Sequence, residues 1–375
     1  MINLNNVIEN DIEFKLYARK VKEIDKYLRT FGKQSFWQIE QNVGGSERRI
    51  LRLLNEMVDD NVLCFDETDS TFYVRNNENA KHKNYKCHHC GGSTIELGDL
   101  ENLIPTLKSI WERKPKPTLL FDQRPVTLKT SLKRVAYLLS NNDVYRNNIV
   151  FLGDDDLTGI CLAMANSDCN ITVLDADERL IDFVNDIASE YHLNLKAKVL
   201  NVMDDVPDDL KGKFDVLMTD PTPEKIPFTV FMNTAIDLLK SDGILYTSIY
   251  SSAMDKNMDL QRVITDMNLY ITEMIPNFTH YQYIYDLYSP SDIKLIEKYH
   301  VKFTEDSICF TETLFRMEKN EETVKLPIEY TGEQMMGKAT KRVMNDNEKE
   351  VADDTEYLEE VRESMEKNSN KVYRG

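Results

Sequence analysis

The sequence predicts a doubly wound parallel α/β sheet preceded by a winged-helix domain. Three observations carry that expectation. From residue 147 onward, apolar strand-like runs alternate with amphipathic helical ones; a helix, helix and hairpin pattern stands ahead of them; and the loops after successive strands are acidic one after another. Alternation of this kind implies parallel strands joined by right-handed crossovers.

The elements follow in order. Residues 12–31 carry apolar positions at helical spacing, including Phe14, Leu16, Val21, Ile24 and Leu28. The stretch 35–74 then predicts a short helix, a turn at Gly44 and Gly45, a helix begun by Ser46, and a hairpin. Arg48, Arg49 and Arg52 fall where a recognition helix would face phosphates, but Glu47, Glu56 and the acidic hairpin tip favour a packing or dimerisation module over a DNA reader. Cys87 and Cys90, with His82, His88 and His89 nearby, have the spacing of a zinc knuckle. No second cysteine pair accompanies them, so a turn with two reduced thiols is favoured over a zinc site.

The prolines around residue 115 mark a junction. Beyond it "NNIVFLG" predicts a buried strand, "LTGICLAMAN" a helix, "NITVLDAD" a strand, "ERLIDFVNDIASEYH" a helix, and "LKAKVLNV" and "FDVLMTDP" two further strands. A helix over "FTVFMNTAIDLLKSDG" and a strand over "GILYTSIY" complete the alternation. Past residue 320 the chain is charged and poor in core residues, which predicts a mobile tail with one exposed helix near 351–366. The expected division is a winged helix over 1–80, a CxxC-containing connector over 81–114, the catalytic domain over 115–322 and the tail over 323–375.

Composition narrows the function classes. A formal charge of -18 opposes binding to phosphate backbones and suits cationic partners, although solubility alone also explains an acidic surface. No run of about 18 apolar residues appears and the first residues are too charged for a signal peptide, so the expected setting is cytoplasmic, away from membranes. Six cysteines scattered along the chain are not a disulfide framework.

In open α/β sheets ligands bind beyond the carboxyl ends of the strands. Gly153, Asp154, Asp155 and Asp156 follow the first strand of this domain; Asp175 and Asp177 follow the second, Asn201 the third and Asp220 the fourth. An acid after the second strand commonly holds ribose hydroxyls, so Asp175 is expected on a nucleoside sugar, with Asn201 or its backbone beside the base. A pyrophosphate would meet three carboxylates at the first loop, which argues against NAD or ATP. S-adenosylmethionine has a carboxylate that would also sit badly there; its decarboxylated form is a dication and fits. The acceptor is then expected to be a polyamine. Its amines, with pKa near about 10, must lose a proton before they attack, so a carboxylate base is required. Asp155 is expected to be that base, and Asp220 to hold the acceptor nitrogen. Asp154 and Asp156 would orient cations or cap the next helix. Glu273, Asn277 and Tyr281 are further acceptor-contact candidates in a segment that fits a late strand equally well.

At this point "FLGDDDL", "VLDADERLIDFV", "GKFDVLMTDPTP" and "FDQRPVTLKT" resemble the branched-chain polyamine synthases, the N4-bis(aminopropyl)spermidine synthases. The resemblance implies a winged-helix N-terminal domain, a Rossmann-like (class I methyltransferase-like) catalytic domain, a mobile C-terminal tail and a homodimer. It also implies that decarboxylated S-adenosylmethionine is a co-substrate, not a bound cofactor. The aminopropyl groups would go to the secondary amine of spermidine. It carries over the motif Gly153 to Asp156, Asp220 at the head of a second motif, and Asp122 and Gln123 from the "FDQ" loop as substrate-binding residues. The second motif departs from the family's Asp-Pro-Pro-Tyr: here it is Asp220, Pro221, Thr222, Pro223. The missing aromatic ring removes a cation–π wall of about 0.5 to 2 kcal/mol and leaves acceptor choice open. Two rivals stand beside this reading: an S-adenosylmethionine-dependent amino-methyltransferase acting on nucleic acid, and a winged-helix regulator sensing a cationic ligand. The acidic first loop argues against the former and the lack of a basic face against the latter.

Overall fold

The computed structural model describes residues 11–44, 47–75, 95–118, 121–165, 168–250, 254–282, 290–303, 308–335 and 372–374. Cys87, Cys90, Ser46 and the 351–366 segment lie outside the described residues. The chain divides into two compact units.

The first unit comprises Met1–Gly92, Tyr250–Met254 and His280–Glu312. Its elements are α1 (Asp11–Phe31), β1 (Gln34–Ser35), α2 (Phe36–Val43), α3 (Glu47–Asp59), β2 (Cys64–Asp66), β3 (Thr71–Tyr73) and α10 (Pro290–Lys298). Ser35 and Gln38 cap α2 reciprocally, which satisfies two amide groups at the helix start. The three short strands pair antiparallel in the order β1-β3-β2. Ile24, Leu28, Ile39, Ile50, Leu54 and Phe72 form the core together with Ile296, Tyr299 and Val301. That last group was expected in the catalytic domain. Instead, the described residues of 280–312 belong to the first unit, because α10 presents Ile296 and Asp292 to α3. Asp292 is buried and accepts from Arg52 Nε at 2.7 Å and Nη2 at 2.8 Å. Arg52, one of the three arginines expected to face phosphates, is therefore committed within the protein.

The second unit holds Ser93–Ile249, Asp255–Thr279 and Thr313–Gly375. A 3-10 turn and α4 (Ile104–Trp111) lead to α5 (Leu128–Ser140). Then come β4 (Asn148–Leu152), α6 (Thr158–Met164), β5 (Asn170–Asp175), α7 (Glu178–Glu190), β6 (Leu195–Val199), β7 (Phe214–Thr219), α8 (Lys225–Leu238) and β8 (Leu239–Tyr250). The remaining elements are α9 (Met254–Asp266), β9 (Tyr270–Gln282), β10 (Ile308–Glu318), β11 (Glu329–Thr331) and β12 (Val372–Arg374). Seven strands form one sheet in the order β6-β5-β4-β7-β8-β10-β9, with parallel pairing from β6 through β8.

Period-two alternation explains why both faces are covered. Ile149, Phe151, Val173, Val216 and Met218 pack toward α5, α6 and α7. Val150, Leu152, Leu174, Leu217 and Leu245 pack toward α8 and α9. Each fully buried side chain of this size stabilises the fold by roughly 1.5–3 kcal/mol. The chain runs outward from β4 to β6 on one side, then returns to β7 and β8 on the other. The switch point therefore falls between β4 and β7.

The start of the predicted tail is docked. Asn233 of α8 exchanges two 2.9 Å hydrogen bonds with the Leu326 backbone, Lys325 pairs with Asp237 at 2.8 Å, and Tyr330 is buried. Charge along 320–335 misled the sequence reading because one buried amide and one buried ring are enough to fasten an otherwise polar strand. Among the described residues no helix is long and apolar enough to cross a membrane.

Candidate active site at the sheet switch point

Gly153 leaves β4 with φ +72°, a conformation that favours glycine, and its N–H donates to the Leu174 carbonyl at 2.8 Å. The three aspartates that follow have separate environments.

Asp154 turns inward. Its carboxylate accepts from the N–H groups of Thr158 and Gly159, each at 2.8 Å, and so caps α6. A Cβ on Gly159 would lie 2.8 Å from Val173 and 2.9 Å from the Asp154 carboxylate, so the helix approaches this closely only with glycine there. Burial pushes the Asp154 carboxyl up to about 8.

Asp156 is also buried. Its Oδ1 accepts from the Val126 N–H at 2.8 Å and its Oδ2 from Arg134 Nη1 at 2.6 Å. Arg134 lies on the buried face of α5 with 3% exposure, and its Nη2 donates to Asp220 beyond β7. One guanidinium thus joins the loops on either side of the switch point. Burial still holds the Asp156 carboxyl above its ordinary range, with Arg134 opposing.

Asp155 differs from its neighbours. Its Oδ2 is inaccessible to solvent and finds no hydrogen-bond partner among the described residues. Burial, reinforced by repulsion from Asp156, raises its carboxyl well above the usual range, and Lys114 opposes this. Asp155 lines a small cleft with Lys114, Pro115, Pro117, Gln123, Asp177 and Leu180. Lys114 Nζ donates to the Asp155 carbonyl at 2.8 Å and lies 4.5 Å over the Trp111 ring. Burial lowers its pKa against the pull of the three aspartates.

Asp175 accepts from the N–H groups of Asp177 at 2.8 Å and Asp154 at 3.1 Å, and burial lifts its carboxyl to about 6. Asp177 takes Arg179 and Gln123 as donors; burial pushes it up, yet those bonds hold it below its ordinary value. Gln123 also accepts from the Thr118 N–H at 2.9 Å, which fastens the loop bearing Asp122. Asp122 sits at φ +52° and accepts from the Thr222 hydroxyl at 2.6 Å, so the threonine of the departing motif ties the second loop to the first. Asn201 closes a local turn onto the Met203 N–H at 3.0 Å. Glu273 accepts from the Tyr137 hydroxyl, and Asn277 stands at φ +56° within β9. Tyr281 belongs to the first unit, where it donates to Glu312 at 3.0 Å.

Lys114, Arg134 and Thr222 were not among the expected site residues. Arg134 left one trace: it interrupts an apolar helical face between Leu132, Val135 and Leu138. Among the described residues no group of three or more His, Cys, Asp or Glu is arranged to hold a metal ion.

The model of the branched-chain polyamine synthase A C-terminal domain matches residues 102–349. The chain belongs to the branched-chain polyamine synthase family. An N(4)-bis(aminopropyl)spermidine synthase of Methanocaldococcus jannaschii is 30% identical over 283 residues, which is 72% of this chain and 79% of the relative. Another, from Thermococcus kodakarensis, is 35% identical over 202 residues, 52% of this chain and 58% of the relative. The fold is similar to that of a crystallised family member, the Thermus thermophilus branched-chain polyamine synthase in complex with N4-aminopropylspermidine and 5'-methylthioadenosine. The TM-score is 0.66 at 21% identity, over 82% of this chain and 88% of that one.

Proposed function

We propose that the chain is an aminopropyltransferase that moves aminopropyl groups from decarboxylated S-adenosylmethionine to the secondary amine of spermidine. The products are N4-aminopropylspermidine, then N4-bis(aminopropyl)spermidine, with methylthioadenosine released at each step. Membership of the family supports this reading, and so does the observation that carries its chemistry: acids converge at the switch point, and Asp155 among them keeps a carboxylate oxygen without a partner among the described residues.

The neutral acceptor nitrogen attacks the methylene carbon beside the sulfonium, a C–N bond forms, the C–S bond breaks, and its electron pair stays on sulfur. The ammonium proton leaves to a carboxylate. Asp155 takes that proton, because a carboxyl raised above its ordinary range accepts one more readily than an ordinary aspartate. Asp220, held by Arg134, anchors the acceptor nitrogen. Asp175 and Asn201 hold the nucleoside, with Gly153, Asp122 and Gln123 shaping the pocket, Asp156 behind it bound to Arg134, and Asp154 capping α6.

The same reading takes 1–80, joined by 280–312, as the winged-helix unit, 81–114 as its connector, the rest of 115–322 as the catalytic domain and 323–375 as the C-terminal extension. It also takes the enzyme to be a cytoplasmic homodimer, which sedimentation and fractionation would check. The decisive experiment incubates the full chain with spermidine and either methyl donor or its decarboxylated form, followed by mass analysis. Addition of one or two aminopropyl groups, only with the decarboxylated donor, is the expected result; a methylated product would overturn the reading.

A further inference from the structure

Two carboxylates brought together at one switch point repel each other, and a cation shared between them offsets that repulsion. Here a single guanidinium, itself 3% exposed, donates one Nη to Asp156 and the other to Asp220. A planar fork fixes direction as well as charge, which a point cation does not do. We infer that Arg134 is a positioning residue for the transfer: it ties the loop after β4 to the turn after β7 and holds the Asp220 carboxylate oriented toward the acceptor amine, leaving Asp155 to take the proton.

The inference rests on the aminopropyltransferase reading. It explains why three adjacent aspartates differ: Asp154 is spent on backbone amides, Asp156 on Arg134, and Asp155 on neither. Among the described residues, other charged groups that act on these loops include Lys114 from the segment before α5, and Asp154 and, at the end of β5, Asp175, both of which act on Asp155.

The test uses the full chain and begins with wild type. If it moves no aminopropyl group onto spermidine, the underlying reading fails whatever the variants do. With wild-type transfer established, Arg134→Lys, Asp156→Asn and the double variant are compared for kcat, KM and thermal unfolding from about pH 6 to about pH 10. Arg134→Lys keeps the charge but loses the fork, so kcat is expected to fall about 100-fold through misplacement of Asp220. The acid limb of its pH profile should move to higher pH. The double variant removes one of the two anions that the lysine must serve, and is expected to recover part of the lost kcat. An unchanged kcat and limb in Arg134→Lys overturns the inference. So does a loss of stability with no movement of the limb and no recovery in the double variant, the signature of an ordinary core ion pair. Should Arg134→Lys fail to fold, Asp156→Asn alone decides, read as kcat at the pH optimum: a fall of about tenfold is expected once the loop after β4 is no longer tied to Arg134, and an unchanged kcat counts against the inference.

Discussion

Arg134 and Arg316 both lie in the α/β unit and both pair with buried aspartates, yet one cluster closes on itself and the other does not. Around Arg316, Nε and Nη2 reach Asp143 at 3.0 and 3.2 Å, and Nη1 reaches Thr272 at 2.9 Å and Glu318 at 3.0 Å. Tyr246 donates to the same aspartate, and Asn141 to the tyrosine at 3.3 Å. Burial and Asp143 together raise the Tyr246 hydroxyl, so it remains a donor. Around Arg134 the arrangement is left open, because Asp155 in the adjoining position has a buried oxygen with no partner among the described residues. A satisfied buried network specifies packing. An unsatisfied acid with raised affinity for protons is a cost to the fold, and such costs collect where chemistry is done.

Asp155→Asn tests the open cluster most severely. It keeps shape and removes charge, so kcat is expected to fall by between about 10³- and 10⁴-fold while thermal stability is unchanged or rises. Turnover within about tenfold of wild type, a barrier change of only about 1.4 kcal/mol, would remove Asp155 from the role of base.

Arg316→Met strikes the closed cluster and should do the reverse. Stability is expected to drop by about 3–5 kcal/mol in urea unfolding because Asp143 is left buried without its cation. The folded fraction should turn over at nearly the wild-type rate. A variant that loses turnover and keeps its stability would erase the distinction between the two arginines.

A pH series sharpens it further. Asp154 has a folded pKa of about 8, raised by burial above its unfolded value, so the stability it allows is complete below the unfolded pKa and is lost as pH rises through about 8. Asp175, raised to about 6, acts in the same direction over a lower window. The stability of Asp154→Asn relative to wild type should therefore grow between about pH 4 and about pH 8. A flat difference in melting temperature across that window contradicts the assignment.

Thr222→Ala should have the smallest effect. It deletes one hydrogen bond to Asp122, worth about 1 kcal/mol. Steady-state kinetics should register this as a severalfold rise in KM for the polyamine with kcat nearly kept. A larger effect on kcat would mean that the Asp122 loop also orients the reacting groups.

The two clusters were not equally legible beforehand. Asp155 and Asp220 stand next to strand ends that announce themselves by apolar runs, and Gly153 marks the turn between strand and helix. Nothing comparable marks Asp143, Tyr246 and Arg316, which come from three separate segments and meet only across the packed sheet and α5. The 280–312 segment misled for a related reason. Its position in the chain falls inside 115–322, whereas the fit of Ile296 and Tyr299 among Ile50, Leu54 and Phe72 joins residues far apart in sequence.

What the sequence by itself determined is the succession of strands and helices from 148 to 250 and the placing of acids just beyond them. Hydrophobic period, capping and turn chemistry act over a few residues and can be read from a line of letters. Which of those acids is capped, which is neutralised by Arg134 and which is left without a partner was decided only by tertiary structure. Burial and ion pairing depend on what distant segments bring within about 3 Å, and the order of residues along the chain does not contain that distance.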